Sequence, residues 1–354
     1  MLKLETIDSL DSLMQIKDDW DSLFEECGIS YPFLTFDWIL IWWKSFKKGN
    51  LSVVVVREGN KIIAIAPFMT YRKIWRCVPL KVVSFLSNYH SNRAEILLSK
   101  DPGKVLDVIL SYVYRQCDLI ELGFLSDECK TSDLLKGIKK YRYLSFVDFE
   151  SPYITIDGQW EDFLKEKSKK LKRKLNSLNK KYKGYNHEIV HYTKFDSECM
   201  MKIFHISKNT WKYTQNSAIV SHKDTKGFYE NIAIMASDRG WLDIHILEID
   251  YTPVAFDFKL NFNNIIYCLK IGYDMSYAKR SVGQFLMQRS IEDAFKGGCK
   301  EYDFVGKVDR FKREWTGLVR PHHKYLVFTN SICGRLLCFI EKGIIKRIKR
   351  MLNK

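Results

Sequence analysis

Apolar positions in the last third of the chain change period three times. Ile265, Ile266, Tyr267, Cys268, Leu269 and Ile271 form a nearly continuous apolar run, rich in β-branched and aromatic residues, and predict a strand. Met287, Ile291, Ala294 and Phe295 follow at i, i+4, i+7 and i+8, a helical stripe. Gly297-Gly298 stops that helix, and Glu301 to Val305 reads as a short strand. The pattern is therefore a β-α-β unit whose helix opens at Ser281-Val282-Gly283. A helix start carries unpaired N–H groups and partial positive charge, and a glycine there lets the backbone approach a phosphate.

The same reading applied from the start gives alternating strands and helices. Residues Met1 to Cys27 predict a short strand and an amphipathic helix. Thr35 caps the next helix, with Trp38, Ile41, Trp42 and Phe46 on one stripe. Strands at Leu51 to Arg57 and Lys61 to Met69 meet at Gly59-Asn60, a hairpin signal. Strand-like runs follow at Leu80 to Leu86 and Ala94 to Leu98. A helix from Asp101-Pro102 to about Arg115 comes next, then a strand Leu119 to Gly123, a helix Asp133 to Lys140 and a strand Leu144 to Phe149. This half lacks a convincing phosphate turn, because Pro102 removes an N–H where one is needed.

Pro152 and Asp157-Gly158 punctuate a boundary near Ser151 to Gln159. We therefore expect an N-terminal partner domain over 1–158, a second domain over 159–330 and a tail helix over 331–354. The second domain opens on a basic stretch: half of Lys165 to Gly184 is Lys or Arg, with Leu164, Leu171, Leu175 and Leu178 as a thin seam. His187-Glu-Ile-Val-His191 has the spacing of a zinc-protease motif. Its neighbours favour a strand, where the two histidines stand about 13 Å apart and share no ion. Helices are expected at Cys199 to Gln215 and Lys226 to Asp238, a hairpin at Trp241 to Ile249 and Pro253 to Asn261, and a closing strand at His323 to Thr329. In the tail, Ile332, Leu336, Ile340, Ile344, Ile348 and Leu352 recur every fourth residue. Lys342, Lys346, Arg347, Lys349 and Arg350 make its other side basic.

Composition narrows the classes. A chain of 354 residues with 46% hydrophobic and 14% aromatic content can bury two cores. The formal charge of +15 points to an anionic partner: a phosphate-bearing cofactor, a nucleic acid or an anionic membrane face. Nine scattered cysteines without C-x-x-C spacing support neither a zinc ribbon nor a disulfide framework. No apolar run reaches the length of a membrane span, and the N-terminus has no signal-peptide core, so a cytoplasmic location is expected.

Taken together, Tyr273-Asp274, Ser281 to Leu286, Gly297-Gly298, Asp303-Phe304 and Lys312-x-x-Trp315 resemble the GNAT-superfamily branch that includes the CelD-like and FemAB-like proteins. The phrase PFLTFDWILIWW resembles the first helix of CelD-like proteins. The likeness is strongest from about Trp160 to Trp315. It implies an α/β (α+β) fold of two GNAT-like domains, each a mixed sheet flanked by helices, plus the amphipathic tail helix. It also implies an acyltransferase taking an acyl-CoA donor, acetyl-CoA first, without a metal.

Such chemistry needs a held pyrophosphate, a polarised carbonyl, a deprotonated amine and alignment. For the donor the candidates are Gly272, Ser281, Val282, Gly283 and Gln284. For the proton they are Asp303, in the Asp-Phe strand, and Asp257, set among apolar residues. For the acceptor they are Trp211, Lys307, Lys312 and Trp315, with His205 beside Trp211 in sequence. The expected acceptor is an amino group, on a sugar of a cell-surface polysaccharide precursor. Two alternatives stand beside it: a FemAB-like transferase using aminoacyl-tRNA on a cell-wall peptide precursor, and an inactive GNAT-fold scaffold in glycan assembly. A basic amphipathic tail adds a peripheral position on an anionic membrane face.

Overall fold

The computed structural model describes the backbone of residues 2–352 and the side chains of residues 2–344. It divides into two compact units, Met1–Glu150 with Arg320–Lys354, and Ser151–Val319.

The first unit opens with β1 (Leu2–Ile7), the short helices α1 (Leu10–Met14) and α2 (Lys17–Glu26), and α3 (Phe36–Phe46). Thr35 caps α3 through its hydroxyl, as expected. The buried stripe of α3 is Trp38, Ile39, Trp42 and Trp43, so Ile41 and Phe46 lie at its margin. Strands β2 (Asn50–Leu51), β3 (Val53–Glu58), β4 (Lys61–Ala66), β5 (Phe68–Trp75) and β6 (Val78–Phe85) follow. The run expected as one strand from Lys61 to Met69 breaks at Pro67, which has no N–H for a ladder. Its halves join different sheets. After β7 (Leu97–Leu98) come α4 (Pro102–Tyr114), β8 (Leu119–Ser126), α5 (Lys130–Lys136) and the long β9 (Arg142–Thr155). One sheet has the order β1-β3-β4-β7; in the other β8, β6, β5 and β2 are successive neighbours, with β6 and β8 parallel.

The second unit takes the end of β9 from Ser151 and continues through α6 (Trp160–Glu166) and α7 (Lys169–Tyr182). Leu171, Leu175, Leu178 and Tyr182 bury one face of α7, and Tyr182 stacks on Phe285 at 3.6 Å between ring centres. The basic residues occupy the opposite face. Next come β10 (His187–Tyr192), α8 (Ser197–Lys208), α9 (Trp211–Thr214), α10 (Lys223–Asp238), β11 (Leu242–Ile249), β12 (Thr252–Phe262) and β13 (Ile265–Tyr273). Then α11 (Val282–Lys296), β14 (Glu301–Asp303) and α12 (Arg310–Arg313) complete the unit. Its strands run β10-β11-β12-β13-β14, antiparallel except for the last pair, and β14 pairs with Tyr153 to Thr155 of β9. Met287, Ile291, Ala294 and Phe295 on α11 face the core with Trp160, Leu171 and Leu175.

The chain then returns to the first unit as β15 (Val319–Phe328) and α13 (Ile332–Leu352). β15 pairs with β8, and Leu326, Phe328, Leu337 and Cys338 pack with Val78, Leu80, Val82 and Leu119. The tail is helical as expected, but its buried side is not the every-fourth row. Leu337 and Cys338 are buried, while Ile332 is 78% and Leu336 48% exposed. Four residues turn 400° on an α-helix, so a strict four-residue repeat drifts round the axis. Ile348 and Leu352, with Lys346, Arg347, Lys349 and Arg350, lie outside the described side chains. Among the described residues no helix is long and apolar enough to cross a membrane.

Candidate active site

The site follows from a parallel pair that stops early. β13 and β14 pair only over Ile265–Tyr267 and Glu301–Asp303. β14 then enters a turn through Val305 and Gly306, both at positive φ. β13 runs on to Tyr273, so the two strands part. On its other side β13 meets β12 with a register shift at Phe258/Lys259, opposite Lys270 and Cys268. Such a bulge re-aims the side chains beyond it.

α11 opens beside this parting. Ser281 stands at φ 58°, and its side chain caps no backbone N–H. Ser281 N donates to Ala278 O and Gln284 N to Ser281 O, so the first-turn donors open to a ligand are those of Val282 and Gly283. A cleft of about 280 Å³ lies against them, lined by Ser281, Val282, Gly283 and Gln284 on α11, and by Gly272 and Tyr273 on β13. The five residues expected to hold the donor thus border one cavity. Gly283 has a packing role too: an added Cβ would stand 2.9 Å from Tyr273 Cδ1. At Gly272 a Cβ would come within 2.5 Å of Phe256 Cε1.

The acceptor candidates separate. Trp211, 44% exposed, and Trp315, buried, both line the cleft. Lys312 is buried, and its Nζ donates to Val305 O at 2.8 Å and Lys307 O at 2.9 Å, bracing the turn after β14. Lys307 is exposed outside the lining, as is His205 on α8. Lys212 and Glu314 were not singled out by sequence. Lys212 lines the cleft and donates to Ile271 O at 2.8 Å, on the β13 edge left open by β14. Glu314, also in the lining, pairs with Lys174 at 2.5 Å. A Lys beside a Trp gave no signal, since only the strand parting supplies its partner.

The two carboxylate candidates also differ. Asp257 borders the cleft and accepts from Tyr302 Oη at 3.1 Å and Cys268 Sγ at 3.3 Å. Asp303 is outside the lining; its Oδ1 accepts from Ser151 Oγ at 3.2 Å and Val305 N at 2.8 Å.

The charged residues of the lining are Lys174 and Lys212 against Asp257 and Glu314, and Lys270 and Lys312 lie outside it. Burial lowers the Lys212 and Lys312 ammonium pKa values. Burial, then the charges of Lys212 and Lys312, push Lys270 on β13 down to about 8. Behind the cleft, Lys259 is fully buried, 2.8 Å from His245 Nδ1, 3.2 Å from Asp243 Oδ1, 3.5 Å from Ser290 Oγ and 3.7 Å from Asp257 Oδ2. Burial works against its charge, but Asp243 and Asp257 outweigh it and raise its pKa. Burial, then Lys259, keep His245 neutral. His191, Asp243 and His245 bring donor atoms within 4.8 Å of one another, the group with metal-like spacing among the described residues. It draws one histidine from β10 and two ligands from β11, so the H-E-x-x-H spacing played no part. The Lys259 ammonium already serves these groups as a cation.

Residues 165–313 match the family model of the acetyltransferase (GNAT) domain. The segment is a GNAT domain. An N-acyltransferase activity is what this domain match supports. No curated protein sequence matches the chain. Among solved structures it is similar to FemX at 10% identity, over 91% of this chain and 96% of that one, with a TM-score of 0.57. It is also similar to the C-terminal domain of a protein described as a lysylphosphatidylglycerol synthetase from Agrobacterium fabrum. There the identity is 11%, the coverage 92% and 95%, and the TM-score 0.56. A tandem GNAT protein from the clavulanic acid biosynthesis pathway aligns at 9% identity over 94% and 100%, with a TM-score of 0.50. These likenesses concern the fold and bear out the expectation of GNAT-like α/β architecture.

Proposed function

We propose that the second unit moves an acyl group, acetyl first, from a CoA thioester to an amino group. The acceptor is a sugar of a cell-surface polysaccharide precursor. The carrying observation is the uncapped start of α11 on a cleft that also borders the open edge of β13. The Val282 and Gly283 N–H groups receive the pyrophosphate. A β13 N–H near Gly272 polarises the thioester carbonyl. Trp211 and Trp315 flank the acceptor; as the amine attacks, Asp257 takes its proton, the C–S bond breaks and CoA leaves as a thiolate that regains a proton from solvent. Asp303, held by Ser151 and Val305, keeps the strand end and turn in place rather than touching the acceptor. Lysines around the cleft draw in an anionic donor.

The runner-up donor is aminoacyl-tRNA, with a cell-wall peptide precursor as acceptor. The exposed row Lys169, Lys170, Arg173, Lys180 and Lys181 on α7 favours it. A scaffold without turnover is the third reading. For α13 we propose a peripheral position on an anionic membrane face from the cytoplasmic side, through exposed Ile332, Leu336 and Phe339 beside Arg335 and Lys342.

Calorimetry with a CoA panel and with aminoacyl-tRNA tests the donor. Gln284 is an exposed cleft residue at the start of α11. Gln284→Glu keeps its shape, suits the helix dipole and so leaves the fold intact, but repels a phosphate. Acetyl-CoA is expected to bind the wild type and lose at least about tenfold in the variant. No CoA species binding the wild type overturns the reading. RNA retention with steep salt dependence moves the runner-up ahead.

A further inference from the structure

The first unit repeats the strand parting of the second, and it encloses its own cavity there. β6 and β8 pair in parallel at Val82–Ser84 and Leu119–Glu121, joined by a crossover that contains α4. Beyond these pairs a cavity of about 250 Å³ opens between Phe85, Ser87 and Asn88 on one side and Gly123 and Phe124 on the other. It is not a second donor site. The start of α4 is absent from its lining, and Pro102 stands in the first turn of that helix without an N–H.

The chemistry of the lining is specific. Trp42, Phe46, Tyr71 and Phe124 supply aromatic surface. Glu121 is held by Tyr71 Oη at 3.3 Å, by Lys324 Nζ at 2.5 Å and by Lys73. Burial raises the pKa of its carboxyl, but Lys324 and Lys73 outweigh that and hold it below the usual range. It is therefore an ionised acceptor on the cavity wall. Trp42 is 2% exposed, and its Nε1 donor has no hydrogen-bond partner among the described residues. A buried indole N–H without a partner is costly, and a ligand oxygen would satisfy it.

We infer that this cavity is a second ligand site and that it takes one hydroxylated sugar ring. Aromatic side chains cover the C–H face of the ring, while Glu121, Asn88 and Ser87 meet its hydroxyls. Trp42 Nε1 donates to a ring or hydroxyl oxygen. Lys48, also in the lining with its Nζ 4.4 Å from the Tyr71 ring centre, accommodates an acidic sugar as well as a neutral one. This inference does not rest on the acyl-transfer reading, because it concerns a different unit.

The test uses the full chain and three probes: methyl glucoside, methyl N-acetylglucosaminide and methyl glucuronide. Saturation-transfer NMR detects binding and calorimetry measures it. Trp42→Phe removes the donor and keeps the ring. At Gly123 an added Cβ meets only Lys324 Cγ, at 3.9 Å, so Gly123→Leu fills space beside the cavity without backbone strain. Thermal melting checks that each variant folds. At least one glycoside should bind the wild type at millimolar concentration, weaken about tenfold in Trp42→Phe and be lost in Gly123→Leu. A preference for the glucuronide supports the site with Lys48 engaged, and a preference for a neutral glycoside supports it without. No glycoside binding to the wild type overturns the inference. So does equal binding by the wild type and a folded Gly123→Leu, which would put the sugar elsewhere.

Discussion

Lys270 shows how one buried charge writes a pH dependence into the molecule. Its folded pKa is about 8, against 10.5 ordinarily, because burial and two neighbouring ammonium groups disfavour the proton. Between about pH 8 and 10.5 the unfolded chain binds a proton that the folded chain does not. Stability therefore rises with pH across that window and is lowest below it. Lys270→Met removes the penalty. We expect a higher melting temperature than wild type at pH 7, with the difference shrinking as pH climbs through the window. An unchanged or lower melting temperature at pH 7 would count against an uncompensated charge there. Residue chemistry also explains why Gly283 was legible only in part. The sequence marks a glycine at a helix start, but not that Tyr273 packs where its Cβ would be.

At the scale of elements, α13 is fixed to the first unit by a glycine, Gly334, that no sequence pattern singled out. A Cβ at Gly334 would stand 2.6 Å from Asp118 O and 2.7 Å from Thr329 O. These are backbone atoms that cannot swing away. Gly334→Ala should therefore destabilise the protein by about 1–3 kcal/mol although alanine favours a helix. Chemical denaturation measures this, and a stabilised variant would show that α13 sits more loosely than the close approach implies. The same close approach sets which side of α13 faces out. Leu337 and Cys338 are taken into the core, which leaves Ile332, Leu336 and Phe339 to solvent. A helix read alone has no neighbour to break that choice.

For the whole molecule, net charge and exposed apolar surface combine into a prediction about location. The +15 charge attracts an anionic surface, and the outer side of α13 offers side chains that can enter it. Replacing Ile332, Leu336 and Phe339 together by serine alters exposed positions and leaves the packed side of α13 intact. Wild type should float with anionic liposomes, less so at high salt, and the triple variant should stay in the soluble fraction. Equal flotation of both proteins would remove the membrane proposal. The order of units along the chain adds a second whole-molecule feature. The first unit closes its β8 edge with β15, which follows the entire second unit in sequence.

The sequence by itself determined what depends on neighbours along the chain. Examples are the periods of β13 and α11, the Thr35 cap, the leucine seam of α7, the strand at His187 to Tyr192 and the glycine-bearing helix start. Each is local, because hydrogen-bond geometry and side-chain period act over a few residues. Only the tertiary structure decided what depends on where distant segments meet. Pro67 sends its two flanking strands to different sheets. Lys212 reaches the edge that β14 abandons. Lys259 is ringed by groups from β11, β12 and α11. Trp42 borders a cavity formed where β6 and β8 part. These features arise from packing between residues far apart in the chain, and no repeat or spacing in the sequence encodes the distance that brings them together.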